Sequence, residues 1–523
     1  MNLLALATGP ILGWSVIGLM GLIYISFIHK REELRPHAMI VLATSVLSNF
    51  IFWFKDPEIG GGATALLGMI FLVIIIYLLN VDIQQVLYLF AVYVSFQKVL
   101  PGDFGGRIPM FNLTNILIVL LIGGWLSRTF TRGETVVRFF AIDLLVIVYI
   151  LILGSALIRS EFKSFAVFNP MRVITDYKRL LEPFLVYLIF VNNIKDKKQV
   201  QLILLALVCV VGAAGVMGVK QYYMDIGGGT RSNMDKNKIT ILTDQPNQLA
   251  TYFCSYAFYL GAVAAANWKK WWGWVAGLLF LFCIQSIRVT FSRGGLLGFY
   301  CGLLVFIIFT FRLKSIPVLL FVALSVFAFP EKVLGPRLYE SYHRIFSDVP
   351  HEAFVAPAGQ EGEMDLDQSA MSRWYIVQAG ITRVREDATA LMFGVGIGRF
   401  PYEILGRHPK VMFVDAHNQW LLILVECGII ALLSLWLIMA ICALIAMRVY
   451  WITDDPVHRV IAIGYLAGLT GIFISNFFGS RMNSNEIILL HWIMTAVVLK
   501  LDVMERERRY LQEIERRRKA WVR

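Results

Sequence analysis

The chain has 523 residues, of which 58% are hydrophobic and only 16% charged, whereas about a quarter of the residues of soluble domains are charged. This composition excludes a soluble globular protein. The formal net charge of +12 is spread over short connectors between apolar runs, and that distribution argues against a nucleic-acid-binding protein.

Apolar runs of about 16 to 25 residues recur along most of the chain, and a helix of that length crosses about 30 Å of hydrocarbon. We therefore predict an all-α polytopic membrane protein with about 12 to 15 transmembrane helices. The first run is too long and too weakly flanked for a cleaved signal peptide, so we expect it to remain as a span. The predicted spans are residues 3–28, 38–54, 64–80, 83–98, 113–128, 139–158, 181–193, 199–219, 247–266, 272–290, 294–311, 315–330, 416–447, 459–478 and 486–500.

The chain divides into five predicted regions. They are additional amino-terminal helices (1–82), a first part of the transmembrane core (83–330), a large loop (331–415), a last part of the core (416–500) and a basic tail (501–523). The large loop carries twelve acidic and nine basic side chains, whereas the short connectors are basic. Because basic connectors face the cytoplasm, we expect the tail inside and the large loop outside. The tail is predicted to form a short surface helix on anionic lipid.

Two arginines interrupt the apolar sequence CIQSIRVTFSRGGLLGFY, residues 283–300. Ser292, Arg293 and the two glycines that follow predict a tight turn between two spans, with Arg293 at its outer tip. Arginine near a bilayer requires a partner or a function. We interpret Arg288 and Arg293, with Ser292 beside them, as a clamp for phosphate oxygens. The alternative is that both arginines snorkel to lipid headgroups around an ordinary turn.

The segment that begins with Asp415, His417 and Asn418 opens the long apolar run up to residue 447. Asp415 is expected to cap a helix, with His417 and Asn418 in its first turn, where the helix dipole lowers the pKa of histidine. A neutral imidazole can then act as a base, although a lone histidine is more often structural. Glu426 lies nine residues further on the opposite side of the helix, and we expect it to pair with an arginine or a backbone group of another span.

Besides Ser292, Asp415 and Asn418, three further polar residues are candidate substrate ligands in the outward segments. Arg373, beside Trp374, could contact sugar or phosphate, or could be an ordinary solvated arginine. Asn247 begins a span after DQP, where Asp244 and Pro246 can also serve simply as helix-start signals. Arg481 lies in the short outer loop GSRMNSNE.

Other motifs argue against cofactor chemistry. GVGIGRF, residues 394–400, lacks the spacing of a nucleotide-binding loop and is predicted to be a flexible turn. The outer acidic residues lack metal-ligand spacing, and all six cysteines lie inside apolar runs. We therefore expect no metal, no cofactor and no disulfide framework.

Four segments occur in a specific order within about the last 300 residues of the chain. They are DQPNQLA (244–250), FSRGG (291–295), a long loop with Arg373-Trp374 and GVGIG (394–398), and DAHNQWLLILVECGIIALL (415–433). In this order they resemble the O-antigen ligase and polymerase superfamily of bacterial envelope enzymes.

The resemblance implies a GT-C-like, metal-independent, inverting transferase in the bacterial inner membrane. Its donor would be a glycan linked to undecaprenyl pyrophosphate, its acceptor a hydroxyl of a glycan or a lipid core, and its active site would face the periplasm. The arginines that bind pyrophosphate in this family correspond to Arg293 and Arg288, and the family histidine corresponds to His417. Family members commonly have about twelve spans, so the first three spans here are an addition.

The expected function is therefore transfer of a lipid-linked glycan to an acceptor hydroxyl. We favour a polymerase over a ligase because the additional spans and the wide loop suit two lipid-linked glycans. The alternative is a transporter or flippase for lipid-linked oligosaccharides, which would predict charged residues at the bilayer midplane and an internal repeat. The sequence shows neither feature.

Overall fold

A computed structural model describes residues 83–97, 113–132, 140–162, 170–225, 242–243, 245–328, 366–407 and 415–522. Every regular element in these ranges is helical, which confirms the all-α class. The three spans predicted before residue 83 lie outside the described residues. The helices are α1 (Ile83–Phe96), α2 (Leu113–Arg132), α3 (Ala141–Phe162), α4 (Pro170–Asn193), α5 (Lys197–Lys220), α6 (Pro246–Ala266), α7 (Trp271–Val289), α8 (Arg293–Phe311), α9 (Ser315–Ala328), α10 (Leu366–Arg385), α11 (Ala388–Phe393), α12 (Phe400–Ile404), α13 (Gln419–Ile452), α14 (Pro456–Ser475) and α15 (Asn485–Val522).

Within these ranges eight helices are long and apolar enough to cross a membrane, which confirms a polytopic protein. They are α3, α5, α6, α7, α8, α13, α14 and α15. One connector differs from the prediction, which ended one span at residue 158 and began the next at residue 181. Instead α3 continues to Phe162 and α4 already begins at Pro170, so most of that segment is helical.

Helix starts follow local sequence signals. Asp196 accepts a hydrogen bond from the backbone of Gln199 at 2.9 Å and forms a capping box at the start of α5. Pro246 occupies the first turn of α6, where its missing N–H group costs nothing. Asp455 caps α14 by accepting from the Val457 N–H at 2.9 Å. The chain therefore enters these helices at positions that its own side chains specify.

The centre of the bundle is formed by α6, α8 and α14, which pack closely on one another. A Cβ atom added to Gly302 of α8 would lie 2.7 Å from the carbonyl oxygen of Ala467 in α14, and one on Gly298 would lie 2.7 Å from the oxygen of Gly471. Only glycine permits such backbone approach between membrane helices. These contacts fix α8 against α14, and thereby fix the turn that precedes α8.

The two termini of α13 define two ends of the bundle, which we call the His417 end and the His458 end. At the His458 end, basic connectors gather on acidic groups. Lys197 pairs with Asp455, and Arg448 pairs with Asp502 at 2.6 Å. The predicted separate surface helix after residue 501 is not seen, because α15 runs without interruption from Asn485 to Val522.

Candidate functional site

The His417 end is built by contacts among four helix termini. The Phe478 side chain fills the space where Gly294 of α8 would carry a Cβ atom, and Ala250 of α6 does the same at Gly295. The Trp420 indole N–H of α13 donates to the carbonyl oxygen of Phe473, near the end of α14, at 3.2 Å. The starts of α6, α8 and α13 and the end of α14 therefore meet at one end of the bundle.

The turn between α7 and α8 has the geometry that its sequence predicts. Phe291 takes a positive φ of 52°, and the buried Ser292 side chain caps α8 by accepting from the Gly295 N–H at 3.2 Å. Arg293 is the first residue of α8 and is half-buried. Arg288 lies before the turn, is exposed and donates to the Gln285 side chain at 3.3 Å. The two arginines thus stand on either side of the turn.

The start of α13 differs from the prediction. Asn418, not Asp415, caps the helix, because its side-chain oxygen accepts from the N–H groups of Trp420 and Leu421 at 3.0 and 3.1 Å. His417 therefore precedes the helix instead of lying in its first turn, and it has a positive φ of 48°. Left-handed backbone at a non-glycine residue is uncommon and costs free energy.

His417 is surrounded by charged side chains from three segments. Its Nδ1 atom lies 3.8 Å from Oδ2 of Asp415, and its side chain is 48% exposed. Partial burial lowers the pKa of His417, the charge of Asp415 opposes this, and the charges of Arg373 and Arg481 lower the pKa further. The lowered pKa that the helix dipole predicted thus has a different cause. We call these four residues the His417 cluster.

Arg481 is the buried member of the His417 cluster, with 7% exposure. Burial lowers its pKa to about 10, the positive charge of Arg373 lowers it as well, and Asp415 opposes the change. The Arg481 backbone N–H donates to the Asn476 side chain at 3.2 Å, which fixes the loop after α14. Arg373, from α10, is half-buried. The structure thus brings together two arginines that the sequence separates by more than one hundred residues.

Asn247 lies in the first turn of α6, three residues before the Ala250 contact with α8. Its side chain is half-buried, and its backbone oxygen accepts from the Thr251 hydroxyl at 3.1 Å. Asn247 and Arg293 therefore belong to the His417 end. Asp244, the other predicted helix-start residue, lies outside the described residues.

A break in α13 positions the loop 394–400 that packs against the first part of this helix. Gly428 has a φ of 87°, so the helix is interrupted there. The interruption frees the carbonyl oxygens of Val425 and Glu426, which accept from the N–H groups of Val395 and Gly396 at 2.9 and 3.0 Å. The predicted flexible turn at 394–400 is therefore a fixed loop that pairs with α13.

Glu426 finds a backbone partner, although not in another span. Its Oε1 atom accepts from the Phe400 N–H at the start of α12, at 3.1 Å. Its side chain lines a cavity of about 210 Å³ between α3, α4, α12 and the first half of α13. We call it the polar cavity, and its polar lining residues are Asp176, Arg179, Asp415, Gln419, Glu426 and Asn483.

The sequence did not single out Asp176, Arg179, Gln419 or Asn483. Asp176 and Arg179 lie on α4, in a segment that was predicted to be a connector, about 240 residues before α13. Periodicity within one segment carries no information on such distant neighbours. Within the part of the chain that the structure describes, no group of three or more His, Cys, Asp or Glu side chains is arranged to hold a metal ion.

Residues 278–436 match a family model described as O-antigen ligase. The matched segment includes the turn with Arg288 and Arg293, α10 with Arg373, the fixed loop and His417 at the start of α13. This match confirms the resemblance and supports membership of the O-antigen ligase and polymerase superfamily. A search of curated proteins returned no match.

Proposed function

We propose that this member of the O-antigen ligase and polymerase superfamily transfers a glycan from undecaprenyl pyrophosphate to an acceptor hydroxyl at its His417 end. The observation that carries the proposal is the His417 cluster: a half-exposed imidazole beside two arginines that favour its neutral form. A half-exposed neutral imidazole can reach substrate and accept a proton.

His417 acts as the general base in this proposal. The hydroxyl of a sugar has a pKa far above neutrality, so its attack requires a base in the transition state. The lowered pKa leaves His417 uncharged at neutral pH. Asp415, with its carboxylate 3.8 Å from Nδ1, orients the ring and stabilises the imidazolium once it forms.

Arg293, Arg373 and Arg481 stabilise the departing pyrophosphate. Guanidinium groups hold phosphate oxygens through paired hydrogen bonds. With a pKa of about 10, Arg481 remains charged at neutral pH even though it is buried. Arg293 lies at the amino terminus of α8, where the helix dipole also favours an anion. Arg288 is exposed and would contact the outer part of the same group.

Two polar residues would hold this arrangement in place, and a third would contact the donor. Ser292 caps α8 and so orients Arg293, while Asn418 caps α13 and so fixes the position of His417. Both side-chain oxygens are already hydrogen-bonded in these caps, which favours a positioning role over direct substrate binding. Asn247, at the start of α6, would contact the donor near Arg293.

The reaction is a single inverting displacement. The acceptor oxygen forms a bond to the anomeric carbon, the bond from that carbon to the pyrophosphate oxygen breaks, and the hydroxyl proton passes to His417. The pyrophosphate leaves on its lipid, so no nucleotide is needed. Positive charge from arginines stabilises the developing anion, as in other sites where fixed charge faces a leaving group.

We place the His417 end on the periplasmic side of the bacterial inner membrane. The basic connectors around Lys197 and Arg448 gather at the opposite end, and basic connectors face the cytoplasm. α15 then carries the carboxyl terminus into the cytoplasm. A polymerase is favoured over a ligase by the additional spans and wide loop, most of which lie outside the described residues.

Purified protein in liposomes with a lipid-pyrophosphate-linked glycan would test this proposal. We expect His417→Ala and Arg293→Ala each to abolish most glycosidic bond formation, while Arg517→Ala, an exposed arginine of α15, should leave it unchanged. Unchanged transfer by both variants would contradict the site. Movement of lipid across the bilayer without bond formation would favour a transporter.

A further inference from the structure

The polar cavity lies beside the His417 cluster and shares Asp415 with it. Its volume of about 210 Å³ is suited to one sugar ring and not to an oligosaccharide. Tyr149, Leu153 and Phe400 contribute apolar surface to its walls. A small cavity with apolar walls and a few converging polar groups is typical of a ligand site.

Gln419 points to a ligand in this cavity. The residue is 1% exposed, and its Oε1 atom is a buried acceptor that has no hydrogen-bond partner within the described residues. Buried polar atoms are nearly always paired, because an unpaired one forfeits its bond to water. A hydroxyl group placed in the cavity would donate to this oxygen.

The other polar groups also favour a ligand that donates hydrogen bonds. Glu426 is 7% exposed and is held by the Phe400 N–H, and Asp176 and Asp415 add two further carboxyl groups. Among the described residues of the lining, Arg179 is the one cationic side chain, and it pairs with Asp176 at 3.5 Å. Asp176 and Asp415 outnumber the one arginine of the described lining, and this excess disfavours a phosphate or a carboxylate in the cavity.

From this arrangement we infer that the polar cavity is a subsite for an uncharged, hydroxyl-rich acceptor sugar and that it discriminates against acidic sugars. The inference rests on the proposed function, because the bound sugar would present its hydroxyl to His417 next to Asp415. Charge would thereby separate donor and acceptor. The anionic leaving group of the donor would lie on the arginines of the His417 end, and the neutral acceptor would lie among the carboxyl groups of the polar cavity.

Direct binding to the full-length protein in detergent tests the subsite without catalysis. Saturation-transfer NMR with methyl glycosides of neutral hexoses should give signals with the wild type that weaken at least several-fold in Gln419→Leu. His417→Ala and Arg293→Ala should bind these sugars normally. Ser434→Ala, in the half of α13 away from the cavity, is the matched control.

Charge discrimination is tested with methyl glucuronide as the probe. We expect weak signals with the wild type and stronger ones with Asp176→Asn, while neutral hexosides are little affected. Equal binding of neutral hexosides by Gln419→Leu and the wild type, with both proteins showing the same Tm, would overturn the subsite. If the wild type binds methyl glucuronide more strongly than neutral hexosides, the inferred discrimination against acidic sugars is wrong. If His417→Ala and Arg293→Ala retain transfer while Gln419→Leu loses sugar binding, the proposed function fails and the subsite stands.

Discussion

Both ends of the bundle place a histidine beside a carboxylate and arginines, but the two arrangements differ. His458 is 6% exposed, and its Nδ1 atom lies 2.6 Å from Glu505, which also accepts from the Thr453 hydroxyl at 2.8 Å. His417 is 48% exposed and lies 3.8 Å from its carboxylate. The same residue types therefore close a structural network at one end and leave an imidazole accessible at the other.

The arginines differ in the same way. At the His458 end, Arg448 makes two hydrogen bonds of 2.6 Å to the two carboxylate oxygens of Asp502. Such a bidentate pair is a strong internal contact. At the His417 end, burial lowers the pKa of Arg481 most and the positive charge of Arg373 lowers it further, so two positive charges repel each other. A bound anion would relieve that repulsion, and this favours a substrate role for the His417 end.

Exchanging the two histidines for alanine gives the largest expected contrast. His417→Ala should lower kcat by roughly 10²- to 10⁴-fold, the usual contribution of a general base, with an unchanged Tm because the ring is half-exposed. His458→Ala should lower Tm and retain the kcat of its folded fraction. Transfer assays and thermal melts of both variants measure the contrast. If His458→Ala loses kcat and His417→Ala loses only Tm, the assignment of His417 as the base is wrong.

Replacing one arginine at each end gives a smaller contrast. Arg293→Ala should lower kcat by roughly 10²-fold, as for the loss of one group that stabilises a developing anion. Arg448→Ala leaves Asp502 without its bidentate partner, so its main effect should be a lower Tm. Single-turnover transfer and melting of the two proteins separate the effects. If Arg293→Ala and Arg448→Ala both lose activity and have the same Tm, the two arginines do not differ in role.

Within α13, the half towards His417 is interrupted and the half towards His458 is regular. Gly428→Ala places a Cβ atom at a positive φ and against the Met392 carbonyl, so we expect a loss of stability of about 1–3 kcal/mol. Gly123→Ala, in α2 with open space around it, should be neutral or slightly stabilising. Denaturant melts compare the two. If Gly428→Ala and Gly123→Ala are equally stable, the fold does not require the helix break at Gly428.

The smallest expected effect concerns pH. In the proposed mechanism the active imidazole is neutral, so kcat/KM should fall as the pH drops through the pKa of His417. Arg373→Gln removes a charge that lowers this pKa, so the acidic limb should move to higher pH, whereas Asp415→Asn should move it to lower pH. The pH profiles of kcat/KM measure both shifts. If the acidic limbs of the two variants move in the same direction, the electrostatic explanation of the His417 pKa is wrong.

Local signals allowed part of this architecture to be predicted. Apolar run length predicted the eight helices of the described residues that are long and apolar enough to cross a membrane, and the Ser292-Arg293-Gly-Gly pattern predicted the turn before α8, because each depends on residues close in the chain. The predicted cap of α13, Asp415, lies three residues before the actual cap, Asn418. Both residue types are good caps, and the left-handed backbone at His417 decides between them.

Long-range neighbours could not be predicted. The charges that lower the pKa of His417 come from α10 and from the loop after α14, and the polar cavity takes Asp176 from α4. The pairing of the fixed loop 394–400 with α13 depends on a helix break at Gly428, which lies more than thirty residues from the loop residues that pair there. Hydropathy and periodicity describe one segment at a time, so they do not report such contacts.

The continuous α15 has a mechanical consequence. Its 38 residues span about 57 Å as a straight helix, nearly twice the thickness of a bilayer's hydrocarbon core. The arginine-rich part beyond Asp502 therefore projects as a stiff rod braced at its base by Arg508 and Asp454, which lie 3.0 Å apart. A probe attached near Trp521 would be held at a defined height, so this helix offers a ruler for tracking the protein relative to the membrane surface.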